Sequence, residues 1–345
     1  MPSAKHQSDR SPRVAMEHAS ASRTPELSVI VVTPDCYETV RGLIEALRAQ
    51  SARELLEIIL VTPTLDAVRS GLGELDSFCS WRIVEIGAMR SVPQAKRAGT
   101  HHATASAIIF TEDHALPDPQ WAHALIEAHR GDWAAVAPAI DNGNPESLIS
   151  WADFVIGYGP WFNPRSGEAR ELPGHNTSYK REVLLEFDDR LEELLAAETN
   201  LHEELLARGR RLYLESAART YHWNFTRIQP WVPYLYHSAR LFAAHRRESW
   251  SPIRRIAYAG ASPLIPLVRF YRLMPPFHRA RPDLSLRVSF PLLFALLVDA
   301  YGQGVGYALG TGNADEKLAR LEFHRNIPEP GEYRSRYQQT SIGSS

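Results

Sequence analysis

Three adjacent residues, Glu112, Asp113 and His114, place two carboxylates beside an imidazole. Neighbouring carboxylates repel each other unless a cation or a donor compensates them, and this mixture of oxygen and nitrogen donors suits Mg²⁺ or Mn²⁺. An ion held there would bridge a diphosphate and neutralise the charge on a departing nucleotide. The competing reading is a solvated loop leading to a helix cap at Asp118. Glu198, in Ala-Glu-Thr-Asn-Leu-His, starts a helical pattern. A carboxylate there is either a general base or a charge favoured by the helix dipole. His222 follows a strand-like run and precedes Trp223, as a ligand or as a satisfied loop histidine.

The elements that must position these groups alternate between apolar β-branched runs and amphipathic helical segments. That alternation predicts an α/β fold with a mostly parallel sheet. Leu27–Val32 (LSVIVV), Glu57–Val61 (EIILV), Arg82–Ile86 (RIVEI), Ala107–Phe110 (AIIF) and Trp133–Ile140 read as strands. A small-residue helix opens at Pro93, where a missing N–H costs least. Leu172–Leu184 reads as a loop entering a helix, Glu198–Gly209 as a helix closed by glycine, and Arg211–Leu214 as a returning strand. Ligands in open α/β sheets sit outside the carboxyl ends of the strands. Glu112 lies at such an end, and this favours the functional reading of the acidic cluster.

At 345 residues and 44% hydrophobic content, the chain can bury one large core plus an appendage. Its net charge of −2 gives no bulk case for nucleic-acid binding. Cys36 and Cys79, the only cysteines, form no CxxC or Cys/His cluster, so a reducing cytoplasm is expected. Residues 1–26 are polar, lack the apolar stretch of a signal peptide and read as a disordered leader.

The positive charge is concentrated late in the chain. From Thr226 to Phe290 there are eleven arginines, opposed only by Glu248 and Asp283. Interleaved with Trp250, Tyr258, Phe270 and Tyr271, they suggest peripheral contact with an anionic membrane, and so the inner face of the cell membrane. Pairing with the acidic helical residues Glu192, Glu193, Glu203 and Glu204 is the alternative. Phe290–Gly310 has the length of a membrane-spanning helix but carries Asp299 and Gln303. A charge at the bilayer centre costs roughly 2.5 to 3.5 kcal/mol, so this helix is expected to pack on protein or lie in an interface.

The order of SVIVVTP with downstream Glu38, AKRAG (Ala95–Gly99), FTEDHALPDPQW (Phe110–Trp121), GHNTSYKRE (Gly174–Glu182), ETNLHEELLARG (Glu198–Gly209) and YHW (Tyr221–Trp223) resembles the family 2 glycosyltransferases over roughly residues 27–224. The resemblance implies a GT-A fold and inverting transfer from a nucleotide-sugar, with a UDP-sugar favoured. It places donor contacts at Thr33, Asp35, Glu38, Lys96, Glu112 and Asp113, a divalent metal at Asp113, His114 and His222, and the catalytic base at Glu198. It sets His175, Asn176 and Tyr179 on the acceptor side, and Trp161 could stack on a sugar. The acceptor would be a glycan or a lipid-linked sugar. Three positions depart from the family pattern: His114 and Glu198 each stand where aspartate is usual, and Thr62-Pro63-Thr64 lacks an aspartate. A degenerate domain that binds nucleotide-sugar or glycan without turnover is the other function considered. The expected organisation is a leader to residue 26, a catalytic domain over 27–225, an Arg-rich helical region over 226–330 and a flexible tail over 331–345.

Overall fold

The computed structural model describes residues 12–19, 23–248, 250–314, 317, 318 and 321. In chain order the first elements are β1 (Arg13–Ala19), β2 (Leu27–Val32), α1 (Tyr37–Arg48), β3 (Leu56–Thr62), α2 (Leu72–Leu75), β4 (Ser80–Glu85), α3 (Val92–His102), β5 (Ala107–Thr111), β6 (Ala115–Pro117) and α4 (Trp121–His129). There follow β7 (Ala135–Asn142), α5 (Leu148–Tyr158), β8 (Gly167–Ala169), β9 (Ser178–Lys180), α6 (Arg181–Leu185), α7 (Leu191–Leu195), α8 (Glu198–Ala207) and β10 (Leu212–His222). The chain then becomes helical, with α9 (Ile228–Arg246), α10 (Pro252–Ala261), α11 (Ile265–Ala280) and α12 (Pro282–Leu309).

The ten strands form one sheet in the order β1-β4-β3-β2-β5-β9-β7-β10-β6, with β8 on β10. Strands β4, β3, β2 and β5 are mutually parallel. Every residue of β3 and β5 is buried, as expected of strands covered on both faces. This is the α/β architecture expected from the sequence, a mostly parallel sheet flanked by helices with a helical C-terminal extension. One charge sits inside it: Glu57 on β3 is fully buried. Arg82 and the Ser28 hydroxyl hold it, and the Thr104 amide and hydroxyl each donate to it at 2.7 Å. A buried carboxylate is tolerated when its oxygens are filled in this way.

Part of the expected leader is a strand, and residues 1–11 and 20–22 lie outside the described residues. Arg13–Ala19 forms β1, antiparallel to β4, and Glu17 pairs with Arg82 at 3.0 Å. The parallel sheet leaves β4 with an open edge, and an edge with unpaired backbone groups recruits even a polar segment. The tail over 331–345 lies outside the described residues.

The described residues divide into two compact units, the first holding those up to Asp141 and Asn163–Tyr221, the second Asn142–Phe162 and those from His222 to 321. The expected boundary near residue 225 is displaced slightly, and the helical unit also takes α5, which the sequence reading had left in the catalytic domain. Within the helical unit, α12 packs on α9 through glycines. An added Cβ would strike the Tyr236 carbonyl oxygen at Gly302 and the Arg240 carbonyl oxygen at Gly306. Asp299 on α12 pairs with Arg269 of α11 at 2.9 Å and accepts from Gln303 at 2.8 Å. By length and composition α12 could cross a membrane. Its ion-paired Asp299 and its packing on α9 match the expectation of a helix held against protein.

The arginines of this unit divide by role. Arg240 donates to the Gly310 carbonyl at 2.8 Å, Arg247 to that of Tyr307 at 2.6 Å, and Arg255 to that of Trp250 at 3.0 Å. In the first unit, Glu204 pairs with Arg190 and Arg208, and Glu193 with Arg190.

Candidate functional site

Strand β5 ends at Thr111, and the acidic cluster follows at once. The Asp113 carboxylate accepts from His114 Nδ1 at 2.7 Å, and His114 itself is 2% exposed. That contact puts a proton on Nδ1, and Nε2 lies 4.0 Å from Glu112 Oε2. Asp113 therefore orients the imidazole, and Glu112 is the carboxylate beside its Nε2. The sequence places both Glu112 and Asp113 at the donor, and Asp113, His114 and His222 at the metal.

Asn176 clasps Glu112 from both sides. Its amide donates to Glu112 Oε2 at 2.9 Å, and its carbonyl oxygen accepts from the Glu112 backbone N–H at 3.3 Å. Two features make this possible. Strand β9 pairs antiparallel with β5, Ile109 opposite Ser178, which carries Asn176 to the end of β5. Asn176 also has φ +59°, in the left-handed region that asparagine tolerates better than most residues. His175 Nδ1 stands 3.6 Å from Glu112 Oε1, its side chain 57% exposed.

Glu198 is the first residue of α8, and its side chain is 1% exposed. Lys96, from α3, meets Oε1 at 2.5 Å, and the Tyr179 hydroxyl donates to Oε2 at 3.0 Å. Ser91 caps α3 by accepting from the Gln94 N–H, which fixes the helix that carries Lys96. The Tyr179 oxygen also meets His202 Nε2 at 2.8 Å. With the tyrosine proton committed to the carboxylate, His202 must donate through Nε2–H. Burial pushes the His202 pKa down to about 4, so the ring is neutral, while burial and then the Glu198 charge raise that of Tyr179. Lys96, expected at the donor, and Glu198, expected as base, are thus brought together. Tyr179, expected on the acceptor side, instead points into the core: it is fully buried because β9 pairs on both edges, with Ile108 of β5 and Ala135 of β7.

The remaining predicted residues are dispersed. Thr33, directly after β2, is buried, its hydroxyl on the Cys36 carbonyl at 3.0 Å and on Thr39 at 3.1 Å, which shapes the first loop. Asp35 is exposed on that loop. Glu38 is exposed on α1 and ion-paired with Arg41 at 2.7 Å. Trp161 lies half-buried in a short 3₁₀ turn of the second unit.

His222 ends β10 and is buried. Asn224 Oδ1 accepts from its Nδ1 at 2.8 Å, and its ring lies 4.7 Å from that of Tyr158. Asn224 is fixed in turn by Asn142 and Asn144: its Nδ2 donates to Asn142 Oδ1 at 3.0 Å, and its backbone N–H donates to Asn144 Oδ1 at 2.9 Å. The Asn224 carbonyl thus fixes a proton on His222 Nδ1, as Asp113 does on His114. Sequence reasoning missed this asparagine frame and His202. The only signal for either was polar residues next to apolar runs.

No family model matches the chain. Over 174 residues it is 25% identical to a glucosyl-dolichyl phosphate glucuronosyltransferase of Haloferax volcanii, a match covering 47% of this chain and 54% of the relative. The chain thus spans about half the length of the curated relative it matches. Among solved structures, it is similar to S. aureus TarS 1-349 in complex with UDP (TM-score 0.42, 16% identity, 87% of this chain and 93% of that one). It is also similar to the mannosyltransferase PcManGT from Pyrobaculum calidifontis in complex with GDP-Man and Mn²⁺ (TM-score 0.46, 16% identity, 94% and 83%). The class of protein that the chain resembles is the glycosyltransferases, as the order of its segments implied. The particular relative at the level of sequence is the dolichyl phosphate enzyme.

Proposed function

We propose that the chain is a metal-dependent hexosyltransferase that moves a sugar, with inversion, from a nucleotide-sugar to an acceptor hydroxyl. A UDP-sugar is the first donor to test. The acceptor is a glycan or lipid-linked sugar at the cytoplasmic face of a membrane, and the similarity to a glucosyl-dolichyl phosphate glucuronosyltransferase supports the lipid-linked form. The observation that carries the reading is the Glu112 carboxylate, clasped by Asn176 beside a tautomer-fixed His114 at the carboxyl end of a parallel strand.

The donor set fits Mn²⁺ or Mg²⁺, since one carboxylate and an imidazole with Nδ1 already engaged leave oxygen and Nε2 as the donors. Glu112 and His114 would hold the ion, with Asp113 setting the ring of His114. When bound, the ion would offset the charge of the diphosphate.

Glu198 takes the acceptor proton. Lys96 holds one oxygen of that carboxylate, and the Tyr179 hydroxyl fixes the other. To reach a hydroxyl, Glu198 must release one of these partners. Direct displacement needs no covalent intermediate. Thr33 and the loop to Thr39 line the nucleotide side, with Asp35 and Glu38 at its rim. His175 is the exposed polar group for the acceptor, and Trp161 is retained as a stacking surface for a sugar.

The burial of Glu198, with both oxygens engaged, favours one second reading, a domain that binds nucleotide-sugar or glycan without turnover. The two are separated by measuring hydrolysis of UDP-, GDP- and dTDP-sugars with Mn²⁺ in the wild type, Glu112→Gln and Glu198→Gln. A general base is worth about 10² to 10⁴ in rate, so Glu198→Gln should fall by that factor while donor binding persists. Donor binding without turnover in the wild type would establish the second reading.

A further inference from the structure

Helices α10 and α11 run back along α12. Tyr258 packs edge-on against Tyr307 and Ser262 lies beside Gly304, whereas Ser289 donates to the Met274 sulfur at 3.9 Å and His278 meets Ser285 at 2.8 Å. Partners earlier on α10–α11 are later on α12, so the elements form one antiparallel helical hairpin.

The outer face of this hairpin is apolar and uncovered. Ile253 and Ile256 on α10 and Leu267, Val268 and Tyr271 on α11 recur at helical spacing, and Ile253 and Tyr271 are each 81% exposed. On α12, Leu286, Phe290, Leu297 and Tyr301 form another exposed row at spacings of four and seven. Scattered exposed apolar residues are ordinary, but aligned rows of this length mark a contact surface.

The charge on the same elements says what the contact is. Between Ser251 and Leu309 the sequence has seven arginines, no lysine or glutamate, and two aspartates. Asp283 pairs with Arg281 and Asp299 with Arg269. Arg254, Arg272, Arg279 and Arg287 are exposed, and none of them pairs with a carboxylate among the described residues. A second copy of the chain on this face would bring like charges together across a two-fold axis. An anionic lipid surface would instead accept both the arginines and the apolar rows.

We propose that the outer face of the α10–α11/α12 hairpin docks on a bilayer containing anionic lipid, with the apolar rows in the headgroup region and the four arginines at lipid phosphates. This rests on the membrane contact proposed above, though not on sugar transfer. Each such arginine is worth about fivefold in partitioning, and four together several hundredfold.

The test is flotation of the full chain with vesicles of phosphatidylcholine, alone and mixed with phosphatidylglycerol. The wild type should float with the mixed vesicles. Replacing Arg254, Arg272, Arg279 and Arg287 by glutamine should cut that binding by about a hundredfold or more, and Ile256→Asp with Leu267→Asp and Tyr271→Asp should abolish it. Both variants should keep the wild-type helical content and its rate of donor hydrolysis with soluble substrates, which separates loss of docking from failure of the transferase reading. Wild-type protein that stays with the lipid-free fraction, or arginine variants that bind as well as wild type, would overturn the proposal. So would a dimer in solution that the aspartate variant converts to monomer.

Discussion

Acid should weaken the α/β unit through two buried histidines. His202 is held neutral by burial at a pKa of about 4, and His129, whose Nε2 meets Ser178 Oγ at 2.8 Å, at about 3 by burial and then the charge of Lys180. In the unfolded chain each titrates near an ordinary value of roughly 6.5. Both folded values are depressed, so the unfolded chain binds more protons below that pH. The stability is fully present above about pH 6.5 and is lost as pH falls toward the folded values. At pH 5 each histidine costs about 2 kcal/mol and the pair about 4 kcal/mol, a large part of the reserve of a typical domain. Most carboxylates titrate lower, so the histidines dominate this window. Urea unfolding at pH 7.5 and pH 5 measures the loss, and His202→Gln should remove about half of it. A wild type equally stable at both values, or a His202→Gln variant as acid-sensitive as its parent, would refute the reasoning.

Two other substitutions probe features already described. Tyr179→Phe removes a hydrogen bond to a buried carboxylate, worth about 1.5 to 3 kcal/mol. Thermal melts should fall by several degrees, and the rate of transfer should drop in protein that is still folded. Gly306→Leu forces a side chain against the Arg240 carbonyl, where overpacking costs about 1 to 3 kcal/mol or more. Helical content followed against temperature should show the α9–α12 unit melting earlier, and an unchanged melt would mean that the close approach is not needed.

Much of the sheet was legible because the central strands are buried on both faces and so read as unbroken apolar runs: Leu27–Val32 coincides with β2, and Ala107–Phe110 falls one residue short of β5. What escaped was decided by neighbours distant in sequence. Ser178–Lys180 has no strand pattern of its own and becomes β9 because β5 and β7 stand open on either side. Arg13–Ala19 looks like a polar leader and becomes β1 at an exposed edge. The site follows the same rule. Glu112, Asp113 and His114 could be picked out because they end an apolar strand. The partnership of Lys96 with Glu198 spans 102 positions, and nothing local to either residue reports it. Tyr179 is expected on the acceptor side because its segment resembles the family's acceptor-facing loop, and strand pairing turns it inward.

The clasp of Asn176 on Glu112 also sets an order of events during synthesis. The four parallel strands from Leu27 to Thr111 can assemble as soon as they leave the ribosome, but β5 then waits with a bare, apolar edge until Ser178–Lys180 emerges. Until that moment the nascent chain exposes a template for mispairing, and its acidic cluster lacks the side chain that aims it. The segment that closes the edge is the one that completes the site, so a polypeptide truncated before β9 would be both the most aggregation-prone intermediate and one without a formed centre.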